Sequence, residues 1–374
     1  MRFIAIWTLV FTVGGWAADV VIFGRLSDAF ESSLEKYDFN SVPGNDGIQL
    51  FDINGQNNYE NIIVSPGEEK KLAIGSTDML KFTSNGGNLI LISEGATQLD
   101  CTLFLNELGI YPAPKGYRYV DHHETRPLVS QNHRITDKEV GIDENTAVSL
   151  VSNSEYIIPL YQTSRTSMSV NDGGEYWHSG NGGYAAVAFQ GLNNGRVLWI
   201  GSPSIADTIS EDTIEWTFQL RNVIRITKVS HVRESGPFVD VDDYYKVGDK
   251  AIFEMDMQEF NYKKGWVPYV ASDVQLEFVM LDPYQRVTLN STKEGRYSTI
   301  LHIPDQHGMF TFNIDYKRPG LSYVSSQIVV PVRHLANDEY ERSWEIPNAR
   351  VYLTGNTVVI AAWFVFILLW VVSK

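Results

Sequence analysis

The chain has 374 residues, of which 30 are basic and 45 acidic, giving a formal net charge of -15, and 44% are hydrophobic. An acidic balance without any basic stripe excludes a nucleic-acid binder, which must displace counterions from phosphates, and equally a protein that adsorbs to acidic membrane surfaces. The single cysteine, Cys101, excludes an internal disulfide, so folding rests on core burial, for which a chain of this length is sufficient as two domains.

At the N-terminus, Arg2 supplies a positive n-region, residues 3–13 an apolar stretch too short to span a bilayer, and Gly15-Trp16-Ala17 a small-residue cleavage site. Residues 1–17 therefore read as a secretory signal peptide, and the chain from about Ala18 to Arg350 as translocated. Residues 20–23, 61–64 and 89–92 are continuous apolar runs, the pattern of strands buried on both faces. Helical stretches over 27–36, 76–84 and 98–108 alternate with them, which implies a parallel sheet with crossover helices, Rossmann-like or flavodoxin-like. Cys101 begins a stripe with Phe104, Leu105 and Leu108, closed by Gly109, and reads as a buried thiol. Residues 117–183 read as loops and short strands. Strands over 184–189 and 196–200 and a helix over 211–220 complete an α/β domain of residues 18–226.

Beyond Thr227 the period becomes two. Phe253, Met255 and Met257 alternate with polar residues, as do Val274, Leu276, Phe278 and Met280, and later Phe310, Phe312, Ile314 and Tyr316. This predicts an antiparallel β-sandwich of Ig-like size over residues 227–348. The uncharged run 351–372 then predicts a transmembrane helix, followed by a cytosolic end at 373–374. Within it Ala361-Ala362 form a small-residue patch where another helix can approach, while Gly355 and Asn356 lie near the lumenal interface. With the leader, this makes a single-pass type I membrane protein.

Several segments invite a chemical reading. Leu91-Ile92-Ser93-Glu94-Gly95 resembles a nucleophile elbow but lacks its first glycine and any evident His and acid partners, so Ser93 reads as a turn residue. Asn171-Asp172-Gly173-Gly174 through Gly180-Asn181-Gly182-Gly183 leads into a strand rather than a helix, so it reads as a flexible surface loop and not as a phosphate cradle. Asp240-Val241-Asp242-Asp243 has the spacing of a divalent-metal chelate, and the plainer reading is a solvated hinge. Adjacent His122 and His123 would point to opposite faces of a strand and do not chelate one zinc. Asn290-Ser291-Thr292 is an N-glycosylation acceptor, expected in a loop between strands. Catalytic, cofactor-binding and metal-ligating residues are accordingly expected to be none.

Longer blocks carry a more specific signal. They are Phe104-Leu105-Asn106-Glu107-Leu108-Gly109-Ile110-Tyr111-Pro112-Ala113-Pro114-Lys115-Gly116; Phe189-Gln190 with Leu192-Asn193-Asn194 and Trp199-Ile200-Gly201-Ser202; Asp282-Pro283-Tyr284 with Arg286; and Pro304-Asp305 with His307-Gly308 and Phe310-Thr311-Phe312. The last is Arg333-His334-Leu335-Ala336-Asn337-Asp338-Glu339-Tyr340 with Arg342-Ser343-Trp344-Glu345. In this order they resemble the DDOST family, the wheat-germ-agglutinin-binding-protein subunit of the eukaryotic oligosaccharyltransferase complex, and most of all its fungal members.

The resemblance implies a non-catalytic, structural subunit of the endoplasmic reticulum complex that transfers lipid-linked oligosaccharide to Asn of N-x-S/T sequons. Its implied partners are the catalytic oligosaccharyltransferase subunit, a ribophorin-II-type subunit and a defender-against-death-type small subunit, with the bulk of the chain lumenal. Many members carry a cytosolic di-lysine tail, from which Ser373-Lys374 departs. The alternative is a free-standing type I receptor, or a tethered glycosyltransferase using Asp240 and Asp242; the absence of disulfides weighs against a cell-surface receptor.

Overall fold

The computed structural model describes residues 19–45, 47–65, 73–94, 98–123, 127–234, 244–337, 339 and 349–373. The expected leader and the acidic run 240–243 lie outside the described residues. From its first strand the chain runs β1 (Asp19–Gly24), α1 (Asp28–Lys36), β2 (Asn40–Pro43), β3 (Asn61–Ser65), α2 (Ser76–Ser84), β4 (Asn88–Ile92) and α3 (Leu99–Leu108). Helix limits follow from local chemistry. The Ser27 hydroxyl accepts from the Phe30 N–H at 3.3 Å and caps α1, and Gly109, at φ 83°, ends α3 in the left-handed conformation that a Cβ would disfavour.

There follow β5 (Ile110–Pro112), β6 (Tyr117–Val120), β7 (Ser149–Val151), β8 (Ile157–Gln162), β9 (Met168–Asn171), β10 (Tyr176–Ser179), β11 (Tyr184–Gln190), β12 (Arg196–Ile200), α4 (Pro203–Thr208) and α5 (Ser210–Thr217). A nine-stranded sheet has the order β2-β1-β3-β4-β12-β11-β7-β5, with β8 also on β11. Its β2, β1, β3, β4 and β12 neighbours are parallel, as the crossover helices require. Strand β11, by contrast, is antiparallel to β12, because the chain returns between them through a short turn in which the Gly191 N–H donates to the Gly195 carbonyl at 2.9 Å. The sheet is thus mixed, where the sequence predicted a parallel one.

Side chains of the central strands are shared between two cores. Ile63, Ile90 and Leu198 join Phe30, Leu34, Ile205 and Trp216 on one face, and Ile62, Leu89 and Trp199 join Met79, Phe82, Phe104 and Leu105 on the other. That two-sided burial is why these strands read as unbroken apolar runs. Cys101 sits in the second core with no exposed surface, and burial, with Asp100 close by, pushes its thiol up to about 12. It is the inert, buried thiol expected.

The β-rich part comprises β13 (Arg221–Arg233), β14 (Tyr245–Lys246), β15 (Lys250–Asn261), β16 (Gly265–Pro268), β17 (Gln275–Val279), β18 (Pro283–Thr288), β19 (Asn290–Ser291), β20 (Arg296–His302), β21 (Gly308–Tyr316) and β22 (Val324–Arg333). They form two five-stranded sheets, β13-β15-β20-β19 with β16 on β15, and β14-β22-β21-β17-β18. The predicted inward positions Phe253, Met255, Met257, Leu276, Phe278, Phe310, Phe312 and Ile314 make one core between them, in which the Phe278 and Phe310 rings stack at 4.6 Å. Two details differ from expectation. Strand β14 pairs with β22 in parallel, and Met280, expected inward, is 41% exposed because β17 ends at Val279 and the chain turns there. Helix α6 (Ala349–Val372) is long and apolar enough to cross a membrane, its 24 residues spanning about 36 Å, and none of them is buried against the described residues.

Candidate functional site

Of the residues that suggested chemistry, Asp240, Asp242 and Asp243 lie outside the described residues, and the others take the following places. Ser93 has no exposed surface, and its hydroxyl accepts from the Trp199 indole N–H at 2.9 Å, tying β4 to β12. The glycine-rich segment makes turns at the surface, as expected, with Gly174 (φ 79°) between β9 and β10 and Gly180 (φ 88°) after β10, and the strand β10 lies between them where continuous loop was expected. His122 borders a cavity of about 360 Å³ also lined by Tyr119, Glu144 and Ser164, and there the Asp121 carboxylate accepts from the Ser164 and Thr166 hydroxyls and the His123 N–H. Among the described residues no three His, Cys, Asp or Glu side chains are grouped so as to hold a metal. Asn290 is exposed in the two-residue edge strand β19, where a loop was expected.

What the structure builds with most care is the seam between the α/β part and the β-rich part. The loop between β21 and β22 supplies one side. The Gln190 amide donates to the Leu321 carbonyl at 2.7 Å, and the Trp216 indole to the Gly320 carbonyl at 3.0 Å. Asn194, held at φ 62°, closes a two-point clamp on Tyr323: its Oδ1 accepts from the Tyr323 N–H at 2.6 Å and its Nδ2 donates to the Tyr323 carbonyl at 3.0 Å. Such a clamp mimics a strand pair and sets the two parts in one orientation.

Beneath it lies Arg196, without exposed surface and with no carboxylate partner among the described residues. Its Nη1 donates to the carbonyls of Trp216 and Arg221 at 2.6 and 3.0 Å, its Nη2 to that of Asn222 at 2.8 Å, and the guanidinium lies 4.9 Å from the centre of the Trp216 ring. Burial first, and then the neighbouring Arg221 charge, lower its pKa to about 9, which leaves it a cation at neutral pH held by carbonyl dipoles and a π face. The crossing from α5 to β13 is thereby fixed from below. Arg196 belongs to no motif in the sequence, and an arginine opening the otherwise apolar strand Arg-Val-Leu-Trp-Ile is the signal that marks it.

A second cluster closes the other end of the β-rich part. The Glu339 carboxylate accepts from Lys246, from the Ala336 N–H at 2.8 Å and from both Arg333 Nη atoms at 3.1 and 3.2 Å, and these bonds, Lys246 foremost, hold its pKa down to about 2. Beside it the His307 and His334 rings lie 3.8 Å apart. Arg333, His334, Ala336 and Glu339 belong to the block that precedes the apolar helix and His307 to the one before it, whereas Lys246 lies in neither; Asp338, Tyr340 and 342–345 lie outside the described residues.

Residues 28–220 match the family model described as OST48, N-terminal domain, and residues 229–374 that of the OST48 middle domain. Among curated proteins the chain is similar to dolichyl-diphosphooligosaccharide–protein glycosyltransferase subunit WBP1 of Saccharomyces cerevisiae, 36% identical over 91% of this chain and 85% of the relative. It is 26% identical to wbp1 of Schizosaccharomyces pombe over 92% of this chain and 89% of that protein, and 26% identical to the 48 kDa subunit of Drosophila melanogaster over 86% and 82%. Two family models matched in order over most of the chain, and a relative 36% identical over 91% of it, show the family: the chain belongs to the OST48 family.

Proposed function

We propose that the protein is a structural, non-catalytic subunit of the endoplasmic reticulum oligosaccharyltransferase complex, acting in protein N-glycosylation. The observation that carries this reading is the match to named glycosyltransferase subunits along nearly the whole chain. The geometry supports it, because Ser93, Asp121 and the buried Cys101 are committed to packing or to internal hydrogen bonds, whereas the seam around Arg196 and Asn194 fixes one rigid shape. A rigid body on a membrane anchor is what holding partner subunits in register demands.

In this reading residues 1–17 are a leader, 18–226 a Rossmann-like or flavodoxin-like lumenal domain, 227–348 a β-sandwich and 351–372 a type I anchor with the bulk of the chain in the lumen. Its partners are the catalytic subunit, a ribophorin-II-type subunit and a defender-against-death-type small subunit. Extraction of the tagged protein in mild detergent, mass spectrometry of what copurifies, and an assay of oligosaccharide transfer to a sequon peptide test this. Copurification of a catalytic subunit with activity that is lost when partners are stripped is expected; a single active chain would sink the proposal and return attention to Asp240 and Asp242. Asn290 is the glycosylation acceptor in this topology: Asn290→Gln should lower the apparent mass by one endoglycosidase-sensitive step, and an unchanged mobility would refute it.

A further inference from the structure

The outer face of the β14-β22-β21-β17-β18 sheet changes character along its length. On the β21–β22 ladder the outward pairs run Asp315 opposite Ser325, Asn313 opposite Gln327, Thr311 opposite Val329 and Met309 opposite Pro331. Charge gives way to amide, then to hydroxyl and methyl, and then to apolar side chains, beyond which Arg333, paired with Lys246, returns charge at the strand end. The polar end adjoins Tyr323 and hence the α/β part; the apolar end is where β22 finishes at Arg333. The turn between β17 and β18 projects at that same end, since Val279 pairs with both Thr311 and Pro283, and a Cβ on Gly308 would meet the Met280 methyl at 2.7 Å. On the turn Leu281 is 92% exposed, with Met280, Tyr284, Met309 and Val329 also exposed around it.

We infer that this end of the sheet rests on the membrane surface, with Leu281 and Met280 dipping beneath the lipid headgroups and Tyr284 at their level. The inference rests on the reading of α6 as a membrane span. Three observations favour a bilayer as the occupant. Over four successive rungs of two paired strands polarity falls along one axis, and the basic Arg333 and Lys246 follow at the strand end, the apolar band with a basic flank that suits a body standing on an interface. Glu339 is bonded back to Lys246 and Arg333 at this end, so the stretch 340–348 leading on to α6 reaches at most about 35 Å, and this end is tethered near the bilayer while the opposite end carries the α/β part. A lone, almost fully exposed leucine on a turn tip is also the shape that enters a lipid interface, where no complementary pocket is needed. Asp282, exposed next to it, keeps the insertion shallow, and the Lys246–Glu339–Arg333 cluster at the β14 edge lies at headgroup height.

The test uses the purified complex containing the full chain in phosphatidylcholine nanodiscs, spin-labelled in turn at Leu281→Cys, Ser325→Cys and Val365→Cys; buried Cys101 stays unlabelled. Collision rates with oxygen and with a water-soluble nickel chelate are compared. The expected oxygen-to-nickel ratio at Leu281→Cys is several-fold above that at Ser325→Cys and below that at Val365→Cys. A ratio equal to that at Ser325→Cys would overturn the inference, as would a label shielded from both reagents, which would mean that a protein partner or a second copy covers the turn. Water-like behaviour of Val365→Cys would instead refute the anchor itself, and the inference with it.

Discussion

Arg196→Met should loosen the whole seam. The change removes three charge-assisted hydrogen bonds, to the carbonyls of Trp216, Arg221 and Asn222, and the stacking of the guanidinium on Trp216, while keeping much of the volume. A hydrogen bond to a charged group contributes about 1.5–3 kcal/mol, and the low end applies here because two of the carbonyls keep another donor, the Gln219 N–H for Trp216 and the Ser322 N–H for Asn222. The gross loss is then about 5 kcal/mol, and no longer burying an unpaired guanidinium recovers part of it, leaving about 3 kcal/mol. Arg196→Lys should fall between, since one ammonium cannot span carbonyls on both sides of the crossing. Urea unfolding of the detergent-solubilised full chain, followed by tryptophan fluorescence, measures this. With a slope of about 3 kcal/mol/M the midpoint should drop by about 1 M. An unchanged midpoint and slope for Arg196→Met would show that the buried cation is neutral in the balance and that the Gln190, Asn194 and Trp216 bonds hold the seam without it.

Three further outcomes are expected. Gly201→Ala should destabilise by about 3 kcal/mol, because its Cβ would lie 2.0 Å from the Ala147 carbonyl oxygen and backbone cannot yield there, whereas Gly141→Ala, with nothing within 4 Å, should be neutral in the same unfolding assay. Cys101, buried with its thiol raised to about 12, should resist a membrane-permeant maleimide at pH 8 in the native protein and react only after denaturation; rapid native labelling would contradict the packing of α3. Glu339 has its folded pKa depressed to about 2, so its contribution is present above the ordinary carboxylate range and is lost as pH falls from about 4.5 through 2. The thermal midpoint of Glu339→Gln should therefore lie below that of the parent at pH 6 and converge with it at pH 2, and a gap that persists in acid would contradict the assignment.

Much of the α/β part was legible because its signals are local. Continuous apolar runs mark strands covered on both faces, the Ser27 hydroxyl marks a helix start, and Gly109 a helix end, all within a few residues of the feature that they describe. The period-two runs through Phe253, Leu276 and Phe310 likewise declared their inward faces. Strand direction and partner were less accessible: β11 and β12 look alike in sequence, yet one lies antiparallel beside the other and the latter parallel beside β4. Nor could periodicity foresee the turn that sends Met280 outward.

By itself, the sequence determined that the chain has an α/β part, a β-rich part and a terminal apolar helix, and, through its ordered blocks, the family to which it belongs; each depends on residue type and short spacing. Only the tertiary structure decided what those blocks are for. Gln190 and Asn194 lie about 130 positions from Leu321 and Tyr323, and Lys246 lies 93 from Glu339. Hydrogen bonds between such residues form only after strands pair and sheets pack. The seam, the buried Arg196 beneath it and the apolar end of the sheet are therefore products of non-local pairing, which no window along the chain contains.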